Sequence, residues 1–190
     1  MSLLAAIAAL LVQIPSGSDR LDNVELTFRD VDVKDDYDQD QWNPALAHMT
    51  FSLQSVVDER EDPQSNKIGF CQEKKLPVTT KSNIAAFAGQ GVARVFYRTK
   101  IRTAPEGNKL YLGLVKLYVE EGNTYEAKLG IRYTVLGPKG DTLYSRVVHS
   151  TSQRWGRTYS YDNYMETIAG AFYSNVDEFL KKPLRGQQEP

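Results

Sequence analysis

The stretch that decides the fold is Leu110–Val135, LYLGLVKLYVEEGNTYEAKLGIRYTV. Leu110, Leu112 and Leu114 alternate with polar or small residues, the two-residue period of a strand with one buried face. The phase then jumps to Val115, Leu117 and Val119, which predicts a β-bulge or a strong local twist. Glu121-Gly122-Asn123 reads as a turn. Beyond it Tyr125, Ala127, Leu129, Ile131, Tyr133 and Val135 keep one phase, so a second long strand runs back antiparallel to the first. Gly137-Pro138-Lys139-Gly140-Asp141 is another turn, and Leu143–Ser152 completes a three-strand meander.

A sheet with one apolar face needs a cover. Downstream, Tyr161, Met165, Ile168, Phe172, Val176 and Phe179 recur at three-four spacing and predict a helix starting at Ser160 or Asp162. Lys181-Lys182-Pro183 ends it, with cations at the negative end of the helix dipole and a proline stop. Upstream, Ser82 or Asn83 caps a second helix whose apolar face is Ile84, Phe87, Ala88, Val92, Val95 and Phe96. Gly89 and Gly91 cost this helix about 1 kcal/mol each relative to alanine, so another backbone is expected to pass close to them. Further upstream, Val24–Phe28 and Met49–Val57 alternate as strands, and Ile68-Gly69-Phe70 adds a short one. The predicted fold is α+β: a mostly antiparallel sheet with a C-terminal three-strand meander and two helices packed on one face. Residues 19–183 form one domain, and 184–190 a mobile tail.

The chain has 190 residues, 41% hydrophobic and 25% charged, enough apolar material for a core. Its 23 Lys and Arg nearly balance 24 Asp and Glu, so no global charge draws it to nucleic acid. The charge is unevenly placed: Asp30–Asp62 is acidic, while Arg94–Lys109 and Arg146–Arg157 are basic. Cys71 is the only cysteine, which excludes an internal disulfide framework. Residues 1–18 carry LLAAIAALL at Leu3–Leu11, then small residues around Ser16-Gly17-Ser18. Residues 1–18 read as an export-signal remnant or else a short N-terminal helix, and the apolar run is shorter than the roughly 20 apolar residues of a membrane span. No cysteine follows it as a lipid-attachment site.

Several constellations invite a chemical reading. Asp36-Tyr37-Asp38-Gln39-Asp40 imitates the start of a calcium loop, but Gln41 and Ala47 stand where that loop needs Gly and Glu. Gly89-Gln90-Gly91 lies inside a helix, with Arg94 at the third glycine position, so it is no dinucleotide fingerprint. Cys71 has no histidine placed beside it by sequence, His48 and His149 both being remote, and reads as a small buried residue. No cofactor or metal is expected. Arg154, Trp155, Arg157, Tyr159, Tyr161 and Tyr164 join cations to aromatics and form the candidate interaction surface.

In Val56–Phe70, VVDEREDPQSNKIGF, Asp58 and Arg60 are two apart and project to the same side of an extended chain. As an exposed pair they would contribute under about 1 kcal/mol. Val56-Val57-Asp58-Glu59-Arg60, Ile68-Gly69, Leu117-Tyr118-Val119, Tyr125–Tyr133 and Val176–Lys182, in this order, resemble the YajG-like family of bacterial envelope lipoproteins, with Asp58 and Arg60 as a marker pair. The resemblance implies export to the periplasm, attachment to a membrane, the outer one, through a lipidated cysteine, and no established enzymatic activity. This chain departs from it in that its one cysteine, Cys71, lies far from the N-terminus. The reading is a non-catalytic envelope protein that binds envelope proteins, cell-wall polymer or the membrane surface. Self-association into a homo-oligomer is a further expectation. The alternatives are a subunit of an exported assembly, such as a secretion or flagellar machine, and a small-ligand-binding domain or enzyme using the acidic or aromatic cluster.

Overall fold

A computed structural model describes residues 21–29, 39–156, 159–184 and 186. The long pair is strand β4 (Asn108–Glu121) against strand β5 (Thr124–Leu136), antiparallel, and β6 (Thr142–Trp155) continues the meander. The register shifts between Leu114 and Lys116, where the hydrophobic phase slips. The extra residue lets Leu110, Leu112, Leu114, Leu117 and Val119 all reach the core despite the broken alternation.

Strands β1 (Phe51–Asp58) and β2 (Lys67–Cys71) both lie on the other edge of β4 and run parallel to it. Strand β3 (Leu76–Thr79) pairs antiparallel with β2. The sheet is therefore mostly antiparallel, with two parallel pairings at one edge. Helix α2 (Ile84–Arg98) begins at Asn83, whose Oδ1 accepts the Ala86 N–H at 2.9 Å. That cap contributes about 1 kcal/mol. Helix α3 (Tyr161–Lys181) lies mainly over β5 and β6, and α2 over β1 and β4. A short helix not predicted from the sequence, α1 (Pro44–Ala47), is capped by Asn43.

Two local expectations are corrected. Val24–Phe28 alternates like a strand, yet it makes only an isolated bridge from Val24 to Thr80. Its backbone is spent elsewhere: Leu26 N–H donates to Ser82 Oγ at 2.8 Å, and Phe28 packs on the rings of Phe172 and Tyr173. Gly89 and Gly91 are approached by side chains rather than backbone. A Cβ at Gly91 would lie 2.7 Å from the Phe172 ring, and one at Gly89 2.7 Å from Val56 Cγ2. The glycines let α2 settle against α3 and β1, a gain in packing that offsets their helix penalty.

Helix α3 is buried along most of its length: besides the sheet and α2, Phe28 packs on the Phe172 and Tyr173 rings, and Trp42 Nε1 donates to Asp177 Oδ1. Burying a helix on most sides traps polar groups, and several of these are paired across to the sheet. Tyr133 Oη donates to Asn175 Oδ1 at 2.9 Å, and Asn175 Nδ2 donates to the Val148 carbonyl at 2.9 Å. Ser150 Oγ donates to the Ala171 carbonyl at 2.9 Å. This network ties α3 to β5 and β6 and fixes their register.

Candidate functional site

The aromatic corner lies where β6 ends and α3 begins, beside the β4–β5 turn. The structure splits the residues that the sequence groups there. Trp155 closes β6 opposite Thr124 and is 84% exposed. Arg154, its neighbour, pairs with Glu166 on α3. Tyr161 is half-buried, and its hydroxyl reaches the Glu25 carbonyl and Thr27. Tyr159 Oη accepts the Leu21 N–H at 2.7 Å, and the Lys74 ammonium lies 4.8 Å from its ring centre. Tyr164 is fully buried and does not reach the surface. Its ring stacks edge-on against Tyr125 at 5.1 Å and Tyr159 at 6.2 Å. Arg157 lies outside the described residues. Trp155 is thus the exposed ring of the corner, while Tyr159 and Tyr161 tie the segment 21–27 to the start of α3.

Beneath the corner is a polar cluster that the sequence reading did not find. Glu121 is 2% exposed, and Tyr164 Oη donates to its carboxylate at 3.1 Å. Cys71 sits alongside, fully buried, with its sulfur accepting the Lys74 N–H. Burial pushes the Cys71 thiol up, so it stays protonated at neutral pH. Burial, first, and the Glu121 carboxylate, second, push the Tyr164 hydroxyl well up. Glu121 was legible in principle. After the bulge, Leu117, Val119 and Glu121 are two apart and share one face, so the carboxylate had to point inward.

Neither histidine joins this cluster. His48 caps α1, and the His149 ring stands over Gly130 on β5, opposite it in register. Of the calcium-like stretch, Asp36 to Asp38 lies outside the described residues, and Gln39–Gln41 forms a 3-10 turn. Among the described residues, no group of three or more His, Cys, Asp or Glu could hold a metal ion.

The Asp58–Arg60 pair is stronger than its sequence position suggests. The contact is bidentate, Nε to Oδ1 and Nη2 to Oδ2, both at 2.8 Å. Its side chains are only 19% and 9% exposed. Arg60 Nη2 also donates to the Ser65 carbonyl at 3.1 Å, and Arg60 N–H donates to Asp58 Oδ1. The two residues therefore pin the loop between β1 and β2 rather than forming a solvated pair. Hydrogen bonding from Arg60 holds the Asp58 carboxyl below its ordinary range.

No protein-family model matches the chain, and no curated protein matches its sequence. Solved structures with a similar arrangement include a DUF330 protein from Xanthomonas campestris, at 15% identity and a TM-score of 0.47, covering 72% of this chain and 85% of that one. The PelC dodecamer of Paraburkholderia phytofirmans is similar at 14% identity and a TM-score of 0.44, covering 71% and 92%. A minor lipoprotein from Acinetobacter baumannii follows at 10% identity and a TM-score of 0.35, covering 72% and 91%. None of these three is described as YajG-like. At these identities and TM-scores the likeness assigns neither a family nor a function to this chain.

Proposed function

We propose that the protein is a non-catalytic component of the bacterial cell envelope that acts by binding other envelope components. The observation that carries this reading is that the Asp58–Arg60 pair and the buried cysteine cluster, the arrangements most like an active site, are spent on holding the fold. Asp58 and Arg60 latch a loop, Glu121 is held by Tyr164, and Cys71 is a buried, protonated thiol. A general base or nucleophile needs access to substrate and a pKa near the working pH. The location rests on the export-like run Leu3–Leu11 and on the resemblance carried by Val56–Arg60 and Val176–Lys182.

Trp155 is the proposed contact residue, since a large exposed ring is the kind of anchor on which interfaces concentrate their energy. Trp155→Ala should leave stability within about 0.5 kcal/mol of the parent, as expected for an exposed position, and weaken retention on isolated envelopes of the native host. Urea melts and an envelope pull-down measure the two effects. A stability loss above about 1 kcal/mol would make the ring structural instead.

Location is tested by fractionating the native host and weighing the intact protein. The expected species is found with the envelope and lacks residues up to about Ser18. A full-length cytoplasmic species would overturn the envelope reading.

A further inference from the structure

A second surface lies at the opposite end of β4 from Trp155, where α2 runs beside β1. Phe51 marks the outer edge of β1: its N–H donates to the Arg102 carbonyl, and its own carbonyl accepts the Ala104 N–H. Past that point, no strand among the described residues pairs with β1 on this side. The stretch Ser52–Val57, SLQSVV, carries neither charge nor proline. Exposed edges are normally defended by charges or prolines of their own. This edge lacks them, and Val57 on it is 55% exposed.

Between this edge and α2 is a groove of about 380 Å³, floored by Leu53, Ala93, Phe96 and Ile101. No carboxylate lines it, while Lys100 and Arg102 do. Tyr97 stands at its rim, 73% exposed, with the Arg94 guanidinium 5.7 Å from its ring centre. A wider cavity of about 690 Å³ shares Lys100 and Ile101 with the groove and adds Arg98 and His48, with Asp40 opposite. The cations belong to α2 and the turn after it, not to the strand. They are placed to meet a partner on the edge rather than to repel one.

We infer that this groove docks an extended acidic segment of a partner protein, added as a strand along the outer edge of β1. Strand addition supplies backbone hydrogen bonds, and alternate side chains supply specificity. Every second side chain of the added strand would enter the apolar floor, and its carboxylates would meet Lys100, Arg98 and Arg102. The register shift between Leu53 and Val56 keeps the ladder short. This inference does not depend on the envelope reading.

Fluorescence polarisation with the full chain tests it, using a labelled short peptide alternating valine and glutamate. A valine–lysine counterpart and a proline-interrupted copy serve as comparisons. The glutamate peptide should bind, more weakly as salt rises, and the other two should not. The double variant Arg98→Glu with Lys100→Glu should weaken the glutamate peptide by at least about tenfold and admit the lysine peptide, a swap that misfolding cannot produce. Tyr97→Ala should weaken binding without reversing the charge preference. Equal binding of both charged peptides, binding of neither, or unaffected binding of the proline copy would each overturn the inference. So would binding seen only after residues 1–20 are removed, which would make the chain's own segment the occupant. Direct binding to phosphatidylglycerol vesicles, lost in the double variant, together with no peptide binding would assign the surface to membrane instead.

Discussion

Phe179→Ala should destabilise the protein by about 3–5 kcal/mol, the cost of deleting a fully buried aromatic ring whose neighbours cannot collapse into the space. Phe179 is completely buried near the C-terminal end of α3. Its ring stacks on Tyr133 at 4.2 Å with an interplanar angle of 5°, meets Tyr144 edge-on at 5.2 Å, and lies 6.0 Å from Phe51. These partners come from β5, β6 and β1, so one ring closes the helix onto strands at both sides of the sheet. The Tyr144 hydroxyl, buried with no partner among the described residues, is pushed up to about 12 by burial. The void is lined mainly by aromatic rings, so it should stay largely unfilled, and a water that did enter beside the Tyr144 hydroxyl would offset only part of the loss. Calorimetry should show a melting point lowered by about 6–20 °C, and urea titration a lower midpoint with an unchanged slope. A loss below about 2 kcal/mol would mean that α3 can repack without this ring, contrary to its central place in the core.

Phe179 also shows which parts of the fold the sequence made legible. Its place on the face with Met165, Ile168, Phe172 and Val176 follows from three-four spacing alone, and these residues are buried as the spacing requires. The slip at Leu114 was equally readable, because a phase change within an apolar run has few physical causes. The misses have physical reasons too. Val24–Phe28 has a strand's pattern, but strand formation needs a partner ladder, and Ser82 Oγ and Thr79 take its backbone bonds instead. The parallel placement of β1 and β2 beside β4 depends on crossovers through distant elements, which local periodicity does not record. At the aromatic corner, composition put Tyr159, Tyr161 and Tyr164 with Trp155 on one surface. The helical phase of α3 instead turns Tyr164 inward to Glu121 and leaves Trp155 outside. An aromatic cluster in sequence thus becomes partly core once the helix start is fixed. The groove beside β1 had one readable half, the basic run after α2. Its other half, the outer edge of β1, which pairs with no strand among the described residues, emerges only once the sheet order is known.

The second large effect is expected from the Asp58–Arg60 latch. Arg60→Met removes the guanidinium but keeps much of the stem. It leaves the Asp58 carboxylate without its bidentate partner and the Ser65 carbonyl without a donor. Breaking a fully buried pair by deleting one partner costs about 3–5 kcal/mol. Asp58 and Arg60 retain 19% and 9% side-chain exposure, so solvent screening reduces the expected cost to about 2–3 kcal/mol. Asp58→Asn keeps a hydrogen-bond acceptor for Arg60 and should cost less, about 1–2 kcal/mol. The pH dependence separates a latch from simple packing. Hydrogen bonding from Arg60 holds the Asp58 carboxyl below its unfolded value, so the unfolded chain takes up the proton first. The stabilisation is then complete above the ordinary carboxylate range, shrinks as pH falls through it, and is lost below the folded value. The gap between parent and Asp58→Asn should accordingly be constant from about pH 6 to 8 and narrow below about pH 4. Urea melts across that range measure it. A gap that does not change with pH would show that the carboxylate's charge does not hold the loop. Under the proposed envelope reading, retention of Asp58→Asn on envelopes should match the parent wherever both are folded, because the pair fixes the path between β1 and β2. Loss of binding with stability intact would instead place Asp58 in the contact surface.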